Sequence, residues 1–365
     1  VHVLRFACVF TVRQAKIDRQ IHTLFVSLFY PKLNQPGEKM TSENVLPTVM
    51  VTVYGKPKQK KTSDALAAFP TALFLGVPSA ITLVAQNELG FTPTVHPQSP
   101  KNLTELVFLL ISLSETGDAS QYGALVVDDF SHLCQRSMLE WAESAPTGRS
   151  GKKDRFFPYQ ELNKCLLSVA HSARHLGVHF VMTFHERTPG TNADGRFCPG
   201  GPDVPSRNQV ETLPSWCDLN VRAMVDPNYP DPWFPSIYYC DPTDPEWVTG
   251  DRTGVCTKKT PGNIREILRA SQSNYRLERL PGLEWQDDVA ESVAQDMLSG
   301  VAVQDAIQSA ISGRTENPLH LRWACQDGVA RGVLLQQAKT SLFSFDKEEK
   351  TVSNSPKLPP PPPSS

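Results

Sequence analysis

The sequence contains no apolar run of about 18 residues, the length that a membrane-spanning helix requires, so no transmembrane helix is predicted. It also lacks an excess of either charge, because 36 Lys and Arg stand against 38 Asp and Glu, a net charge of −2. A uniformly basic coat for nucleic acid is therefore excluded, and any such contact must come from a local patch. Hydrophobic residues make up 40% of the chain, which is enough for a buried core and excludes wholesale disorder.

None of the 8 cysteines forms a C-x-x-C pair, and no histidine lies beside them at zinc-finger spacing. Cys134 and Cys165 fall in apolar, helix-like segments, where a thiol acts as a small hydrophobic group. The even count permits disulfides, but a chain of this length without secretory features favours reduced cysteines. The apolar residues 1–10 are not followed by a recognisable cleavage site, so no signal peptide is predicted. We expect a cytoplasmic protein.

Proline is the residue in excess: the chain has 31 in 365 residues, where an average of about 5% would give about 18. Much of the excess lies between residues 186 and 262, which predicts long loops there. The rest includes the run Pro359–Pro363, a segment that we expect to be extended and disordered.

Composition and pattern divide the chain into four parts. We expect a basic leader (1–39), a core domain (40–270), a helical appendage (271–345) and a disordered proline-rich tail (346–365). The leader carries six Lys and Arg against two acids, and Met40 follows its closing Pro36-Gly37 turn. This pattern favours an upstream extension with Met40 as the original start, and a short basic arm packed on the protein is the alternative.

Strand-like and helix-like segments alternate from residue 48 onward. Predicted strands lie at 49–54, 71–75, 124–127, 178–183, 219–225 and 236–239. Predicted helices lie at 62–69, 101–113, 159–176, 264–270, 285–298, 303–311 and 321–337. This alternation predicts an α/β fold, a mostly parallel sheet flanked by helices, with a small C-terminal helical appendage.

The turn after the first predicted strand is similar to the phosphate-binding pattern G-x-x-x-x-G-K-[ST]. Gly55, Lys61 and Thr62 match that pattern, and Lys60 stands where the second glycine is expected. In such loops, backbone N–H groups and the helix N-terminus surround phosphates. Lys61 would reach the terminal phosphates and the Thr62 hydroxyl would bind Mg²⁺. The candidate nucleotide-binding residues are Gly55, Lys56, Pro57, Lys58, Gln59, Lys60, Lys61, Thr62 and Ser63. A basic surface turn is the alternative.

Acidic residues follow a buried strand further along the chain. The apolar segment Ala124–Val127 leads directly into Asp128 and Asp129, as in a Walker B segment. An acid at the end of a parallel strand lies at the sheet edge where such ligands bind. Asp128 is therefore a candidate Mg²⁺ ligand, and Asp129 a candidate to orient the attacking water. Alternatively, the two acids cap the next helix.

Polar residues also end the next predicted strand. Thr183 and His185 would lie near the terminal phosphate and are candidate sensors of hydrolysis. A buried histidine satisfied by its neighbours is the alternative for His185.

Taken in order, these segments resemble a phage-encoded P-loop NTPase with a RecA-like core, of the kind linked to single-strand annealing and recombination. The resemblance covers roughly residues 45–270. Its motifs are Thr52-Val53-Tyr54-Gly55, Lys61-Thr62-Ser63, Phe69-Pro70, Tyr122–Asp129, Thr183–Glu186, Gly250–Gly254 and Asn263–Arg269.

The resemblance implies ATP and Mg²⁺ as ligands, ATP hydrolysis, and a homo-oligomeric ring or filament. It also implies single-stranded DNA as a partner, no membrane association, and the host cytoplasm as the location of a phage-encoded protein. The chain departs from the family pattern at Lys58 and Lys60, where glycines are usual. The catalytic carboxylate is left open between Glu88 and Asp129.

Basic loops and one further arginine complete the candidate residues. Loops rich in Lys and Arg suit phosphate contacts with DNA, and the candidates are Arg149, Lys152, Lys153, Arg155, Arg187, Arg196 and Arg207. Ordinary solvated loops are the alternative. Arg252 could reach a neighbouring subunit's nucleotide as an arginine finger, with a surface salt bridge as the alternative.

Three functions remain open from the sequence. The first is an ATPase that acts on single-stranded DNA in phage recombination or replication. The second is a nucleotide-binding, non-hydrolysing DNA-binding or assembly protein, because Lys60 replaces a glycine. The third and weakest is a packaging or helicase motor.

Overall fold

A computed structural model describes residues 47–148, 151–191, 195–225, 236–271 and 273–352, with side chains described as far as residue 340. The predicted leader 1–39, Arg149 and residues 353–365 of the predicted tail lie outside the described residues.

A central sheet organises the described residues. Its strands and a separate hairpin are Met50–Gly55 (β1), Leu73–Gly76 (β2), Thr94–Val95 (β3), Ala124–Asp128 (β4), His179–Arg187 (β5), Gly190–Thr191 (β6), Phe197–Cys198 (β7), Gly201–Pro202 (β8), Leu219–Val225 (β9), Ser236–Tyr239 (β10), Gly250–Asp251 (β11) and Thr260–Pro261 (β12). The strand order is β12-β10-β9-β1-β5-β4-β2-β3. The strands from β9 to β3 run parallel, and β10 pairs antiparallel with β9 and β12.

Helices cover both faces of this sheet. They are Lys61–Ala68 (α1), Pro78–Val84 (α2), Leu103–Thr116 (α3), Phe130–Ser144 (α4), Phe157–His175 (α5), Arg207–Thr212 (α6), Ile264–Ala270 (α7), Trp285–Leu298 (α8), Val303–Ile311 (α9) and Pro318–Val352 (α10). A single π-helical turn, Ala85–Leu89, continues α2. The chain therefore has the predicted α/β fold, a mostly parallel sheet flanked by helices, with C-terminal helices.

The two faces are set by the alternation of side chains along the strands. In β1, Val51 and Val53 join a core cluster with α1, α7 and α10, whereas Met50 and Tyr54 join a second cluster with α3, α4 and α5. All six residues of β1 are buried, as expected for a strand covered on both faces.

Helices α2 and α6 of the structure are absent from the sequence prediction, and α4 was indicated only as a helix-like segment around Cys134, without bounds. The predicted helices and strands are all present, five with the predicted bounds (219–225, 236–239, 264–270, 285–298 and 303–311) and the others with shifted ends. The largest shift is in α10, which begins at Pro318 and continues past residue 345 into the predicted tail.

The C-terminal helices are fixed to the core by buried charged pairs. Arg279 and Asp327 lie 2.6 Å apart (Nη2 to Oδ2), with side chains only 3% and 1% exposed. Arg331 on α10 makes two hydrogen bonds to buried Glu266 on α7. Removing one partner of such a pair strands a buried charge, so these contacts hold α10 in a defined position.

Across the part of the chain that the structure describes, no helix combines the length and apolarity needed to cross a bilayer.

Candidate functional site

The candidate residues converge where parallel strands end at one edge of the sheet. Strand β5 lies between β1 and β4, and the register aligns Gly55 with His185 and Val53 with Thr183. On the other side of β5, Val127 aligns with Met182, so Asp128 follows level with Thr183. The carboxyl edge of a parallel sheet is the usual ligand crevice of such folds.

The loop after β1 adopts a backbone that glycine normally provides. Lys58 and Lys60 have φ values of 65° and 59°, both in the left-handed region. These are the two positions where the resembled family has glycines. A Cβ in this region costs about 1–2 kcal/mol per residue, so each lysine is held there at a cost in stability. The side chain of Gln59 braces the loop by accepting a hydrogen bond from Lys56 N at 2.9 Å.

Lys61 begins helix α1 and bends back over the loop. Its Nζ donates hydrogen bonds to the carbonyls of Gly55 and Lys56, both at 2.9 Å. Burial lowers the pKa of Lys61, while the carboxylates of Asp128, Asp129 and Glu186 oppose that shift. The ammonium therefore lies at the base of the loop, within the field of three acids.

Asp128 connects the loop helix to the central strands. Its Oδ2 accepts a hydrogen bond from Thr62 Oγ1 at 3.0 Å, and its Oδ1 accepts one from Thr183 Oγ1. Hydroxyl and carboxylate oxygens are the ligands that Mg²⁺ prefers, usually completed by waters and substrate phosphates. Thr62 and Asp128 therefore fit a Mg²⁺ ion, and Thr183 holds the other carboxylate oxygen.

Asp129 makes two contacts, one with the backbone of helix α4 and one with the side chain of His185. It caps helix α4 by accepting a hydrogen bond from Ser131 N at 2.8 Å, as the capping alternative from the sequence predicts. Its Oδ2 also lies 2.7 Å from His185 Nε2. Burial raises the pKa of Asp129, and His185 is the main group that opposes the rise. The His185 side chain is 46% exposed, so it is not a core histidine.

Glu88 comes from an element that packs on the other face of the sheet from α4. It belongs to the π-helical turn Ala85–Leu89, and its Oε2 is 3.4 Å from Lys60 Nζ. Both side chains are 39% exposed, so water still reaches the pair. The two candidate carboxylates thus come from separate elements, and each already has a cationic or ionisable partner.

Three residues near the loop were not among the sequence candidates. Glu186, only 2% exposed, receives hydrogen bonds from Arg222 at 2.8 and 3.3 Å. The Arg222 guanidinium lies 3.4 Å from the ring centroid of Trp247, a cation–π contact. A lone arginine within the apolar strand β9 was the available sequence signal for a buried ion pair. Trp247 lies in a loop and gave no such signal.

Arg252 is far from the loop of its own chain. Its backbone N–H donates to Asp218 O, and its Nη1 lies 3.6 Å from Asp218 Oδ1. Asp218 is hydrogen-bonded to Met50, the first residue of β1, whereas the phosphate loop follows Gly55, the last residue of β1. The two ends of β1 are five residues apart, a distance of about 16 Å along the strand. Arg252 thus makes the surface salt bridge expected as the alternative, and in this chain it lies at the other edge of the sheet.

The basic candidates for DNA contact differ in their contacts. Lys153 donates to the Glu143 carbonyl at 2.5 Å, and Arg207 donates to the Phe197 carbonyl at 2.6 Å. Lys152, Arg155 and Arg196 are exposed. Arg187 ends β5, where its backbone pairs with Gly201.

The exposed candidate Arg196 lies in a β-hairpin. Strands β6 and β7 pair Gly190 with Cys198 and Thr191 with Phe197, directly after the strand that carries Thr183 and His185.

A cleft of about 90 Å³ opens beside the loop, between α1, the π-helical turn and α10. Asp64 of α1 lines it and accepts hydrogen bonds from Tyr238 Oη and Ile264 N. Although part of the residue is accessible from the cleft, withdrawal of its carboxyl from water raises the pKa of Asp64 well above the usual value.

The left-handed lysine predicts an unusual order of stability. Lys60→Gly and Lys60→Ala both remove the contact with Glu88, but only alanine keeps a Cβ in the left-handed region. We expect Lys60→Gly to be more stable than Lys60→Ala by about 1 kcal/mol in urea unfolding. At Lys56, where φ is not positive, the order should reverse. Equal stability of the two Lys60 variants would contradict the strain.

The raised pKa of Asp64 predicts a pH-dependent effect of Asp64→Asn. A raised folded-state pKa contributes stability below the unfolded value, about pH 4, and loses it as pH rises through the folded value. Asparagine cannot titrate but keeps an oxygen for Tyr238 and Ile264. The variant should therefore gain stability over wild type near pH 8, and the gain should shrink towards pH 4, measured by denaturant unfolding. Asp118→Asn at an exposed position is the control, and a gain independent of pH would contradict the assignment.

The sequence of residues 48–259 matches the model of the family described as the AAA domain. Among solved structures, the chain is similar to the RadB recombinase, with 16% identity, 53% of this chain and 80% of that chain covered, and a TM-score of 0.32. It is also similar to the KaiC-like protein PH0186 from Pyrococcus horikoshii OT3, with 12% identity, 59% and 86% coverage, and a TM-score of 0.34. No curated protein matches the sequence.

The matched segment contains β1, the loop with Lys61 and Thr62, and the strands that carry Asp128 and Thr183. It also spans more than half of the chain. This protein belongs to the AAA domain family.

Proposed function

We propose that this protein binds ATP with Mg²⁺ at the carboxyl edge of β1, β4 and β5 and hydrolyses it, with single-stranded DNA as its partner in phage recombination or replication. The observation that carries the proposal is the convergence of Thr62 and Thr183 on the two oxygens of Asp128, beside Lys61. Two hydroxyls, a carboxylate and an ammonium therefore lie together near the N-terminus of α1.

The residues of the chain have distinct tasks in this proposal. The α1 N-terminus and the loop N–H groups hold the phosphates, and Lys61 exchanges a carbonyl partner for a phosphate oxygen. Thr62 and Asp128 hold the Mg²⁺, which neutralises charge that develops on the phosphates. Thr183 keeps the Asp128 carboxylate oriented, and Glu88 or Asp129 orients the attacking water.

The cleft beside the loop supports a place for the nucleoside part of the ligand. It begins at Lys60, next to the proposed phosphate site, and Ser63 and Asn87 provide polar groups in its wall. Ligand sites of this kind combine a concave surface with a few polar groups that fix orientation.

A nucleotide-binding protein without hydrolysis is the second candidate. It is favoured by the strained Lys58 and Lys60 and by the contact of Lys60 with Glu88, which occupies one candidate carboxylate. In that case the loop holds nucleotide as a switch for assembly or DNA binding.

The β6–β7 hairpin supports single-stranded DNA as the partner. It carries Arg196 beside Phe197, whose side chain is 47% exposed. Exposed aromatic rings stack on bases, and arginines contact the phosphates, in proteins that bind single strands. The hairpin begins three residues after the end of β5, the strand that carries Thr183 and His185.

A homo-oligomeric ring or filament is part of the proposal. Arg252 lies at the edge opposite the loop and is 57% exposed. In a head-to-tail assembly, this edge of one copy would face the nucleotide of the next, where an arginine stabilises transferred charge.

Substitutions at the loop test hydrolysis. Purified wild-type protein should bind ATP in calorimetry and release phosphate in the presence of Mg²⁺, and Lys61→Ala should lower that rate at least about 100-fold because an aligned charge is lost. Lys101→Ala, at an exposed position outside the loop, is the matched control.

Two further variants separate the candidate carboxylates. Glu88→Gln and Asp129→Asn should differ: the variant that loses turnover while keeping ATP affinity marks the residue that orients water. Asparagine preserves the cap on α4, so folding is retained. Binding without wild-type turnover supports the second candidate function, and absence of ATP binding contradicts both.

The hairpin predicts a DNA-specific effect of Phe197→Ala. Single-stranded DNA should increase the ATPase rate of wild type, and loss of one stacking ring should weaken DNA binding by about 1–3 kcal/mol, leaving the DNA-free rate unchanged. The exposed Phe108 on α3 offers the control substitution Phe108→Ala. If both variants bind single-stranded DNA like wild type, the hairpin is not the contact.

A further inference from the structure

The π-helical turn that carries Glu88 lies between two parts of the chain that are distant in sequence. On one side, Glu88 contacts Lys60 of the phosphate loop. On the other side, the turn and the two residues after it meet the first part of α10, more than 200 residues later. The position of Glu88 therefore depends on contacts with a C-terminal helix.

A hydrogen bond joins α10 to the end of the turn. His320 Nε2 lies 3.1 Å from the carbonyl oxygen of Gly90, the residue that terminates the turn with φ 75°. A Cβ at Gly90 would lie 3.1 Å from the His320 ring and 3.3 Å from Leu319 Cβ. The left-handed backbone and this close approach both require glycine, so helix and turn are in direct contact.

Ring stacking provides a second contact at the next residue. Phe91 and Trp323 stack with centroids 6.0 Å apart, and both side chains are buried. Trp323 also lines the cleft that contains Glu88 and Lys60. The turn thus has an aromatic attachment to α10 in addition to the hydrogen bond.

Helix α10 is itself held rigidly at these positions. The His320 carbonyl accepts a hydrogen bond from Gln286 of α8, which is fully buried. About two turns further along α10, Asp327 pairs with Arg279 and accepts a hydrogen bond from Asn263 Nδ2 at 2.7 Å. The surface that α10 presents to the turn is therefore a fixed one.

We infer that α10 positions Glu88 for the reaction, with His320 as the positioning residue, so that the C-terminal helices are part of the nucleotide site. This inference rests on the proposed hydrolysis. A displacement of α10 would move the turn and shift Glu88 relative to Lys60 and the bound phosphates. Misplacement of about 1 Å can cost up to about 100-fold in rate. A partner that binds the C-terminal helices would regulate turnover by this route.

The test compares His320→Ala with His320→Gln in the full chain. Alanine removes the hydrogen bond to Gly90, whereas the glutamine amide can replace the Nε2 donor. We expect His320→Ala to lower kcat about tenfold, with the ATP dissociation constant from calorimetry changed less than about twofold. We expect His320→Gln to recover most of the rate. Lys339→Ala, at an exposed position later on α10, is the control.

Two further measurements separate positioning from general loss of structure. Amide hydrogen exchange should accelerate at residues 85–91 in His320→Ala, while β1 and β4 keep wild-type protection. In a Glu88→Gln background, His320→Ala should lower the rate no further, because the group that it positions is gone.

The outcomes distinguish the inference from the proposed function. If the wild-type protein hydrolyses ATP and His320→Ala has the same kcat, the role of α10 is overturned and the ATPase proposal stands. An equal loss of ATP affinity and kcat also overturns it, since a structural defect would then explain the effect. Wild-type protein that binds ATP without turnover contradicts the proposed hydrolysis and, with it, control of turnover by α10.

Discussion

The contacts of Asp128 hold the candidate site together. The Asp128 carboxylate accepts one hydrogen bond from the Thr62 hydroxyl on α1 and one from the Thr183 hydroxyl on β5. Helix α1 and strands β4 and β5 are therefore joined at this one side chain. The parallel register of β1 and β4 on either side of β5 brings these groups to the same level. Without that register, Thr62 and Thr183 could not both reach one side chain. Lys61, Asp129 and His185 lie at this same edge of the sheet.

The sequence predicts the parts of this centre that depend on local chemistry. Gly55, Lys61 and Thr62 form one short motif, and Asp128 ends an apolar run, so spacing and residue type were sufficient to identify them. The strand order and the contacts of Thr183 could not be predicted, because they depend on how distant strands pair. The alternation of strands and helices nevertheless predicted a mostly parallel sheet. The fold class was therefore accessible from pattern alone.

Other features were not predictable because they arise from distant or atypical contacts. The bounds of helix α4 were not predicted because its buried face includes Ser131 and Ser137, which interrupt the apolar pattern around Cys134. The contact of His320 with Gly90 joins residues that no local rule connects. The left-handed Lys58 and Lys60 run against the usual preference for glycine, so residue type did not indicate that the loop adopts this backbone.

The loop between β1 and α1 concentrates positive charge to an unusual degree. Lys56, Lys58, Lys60 and Lys61 lie within six residues, so four positive charges share one short loop. Their mutual repulsion adds to the backbone strain, and a bound polyanion relieves the repulsion. For the proposed nucleotide, binding and folding are therefore linked, because an anion that binds only the folded loop also stabilises the fold. Dissolved salt acts on both effects, since counterions screen the lysines and also compete with the ligand, so ionic strength would set how strongly the loop holds an anion.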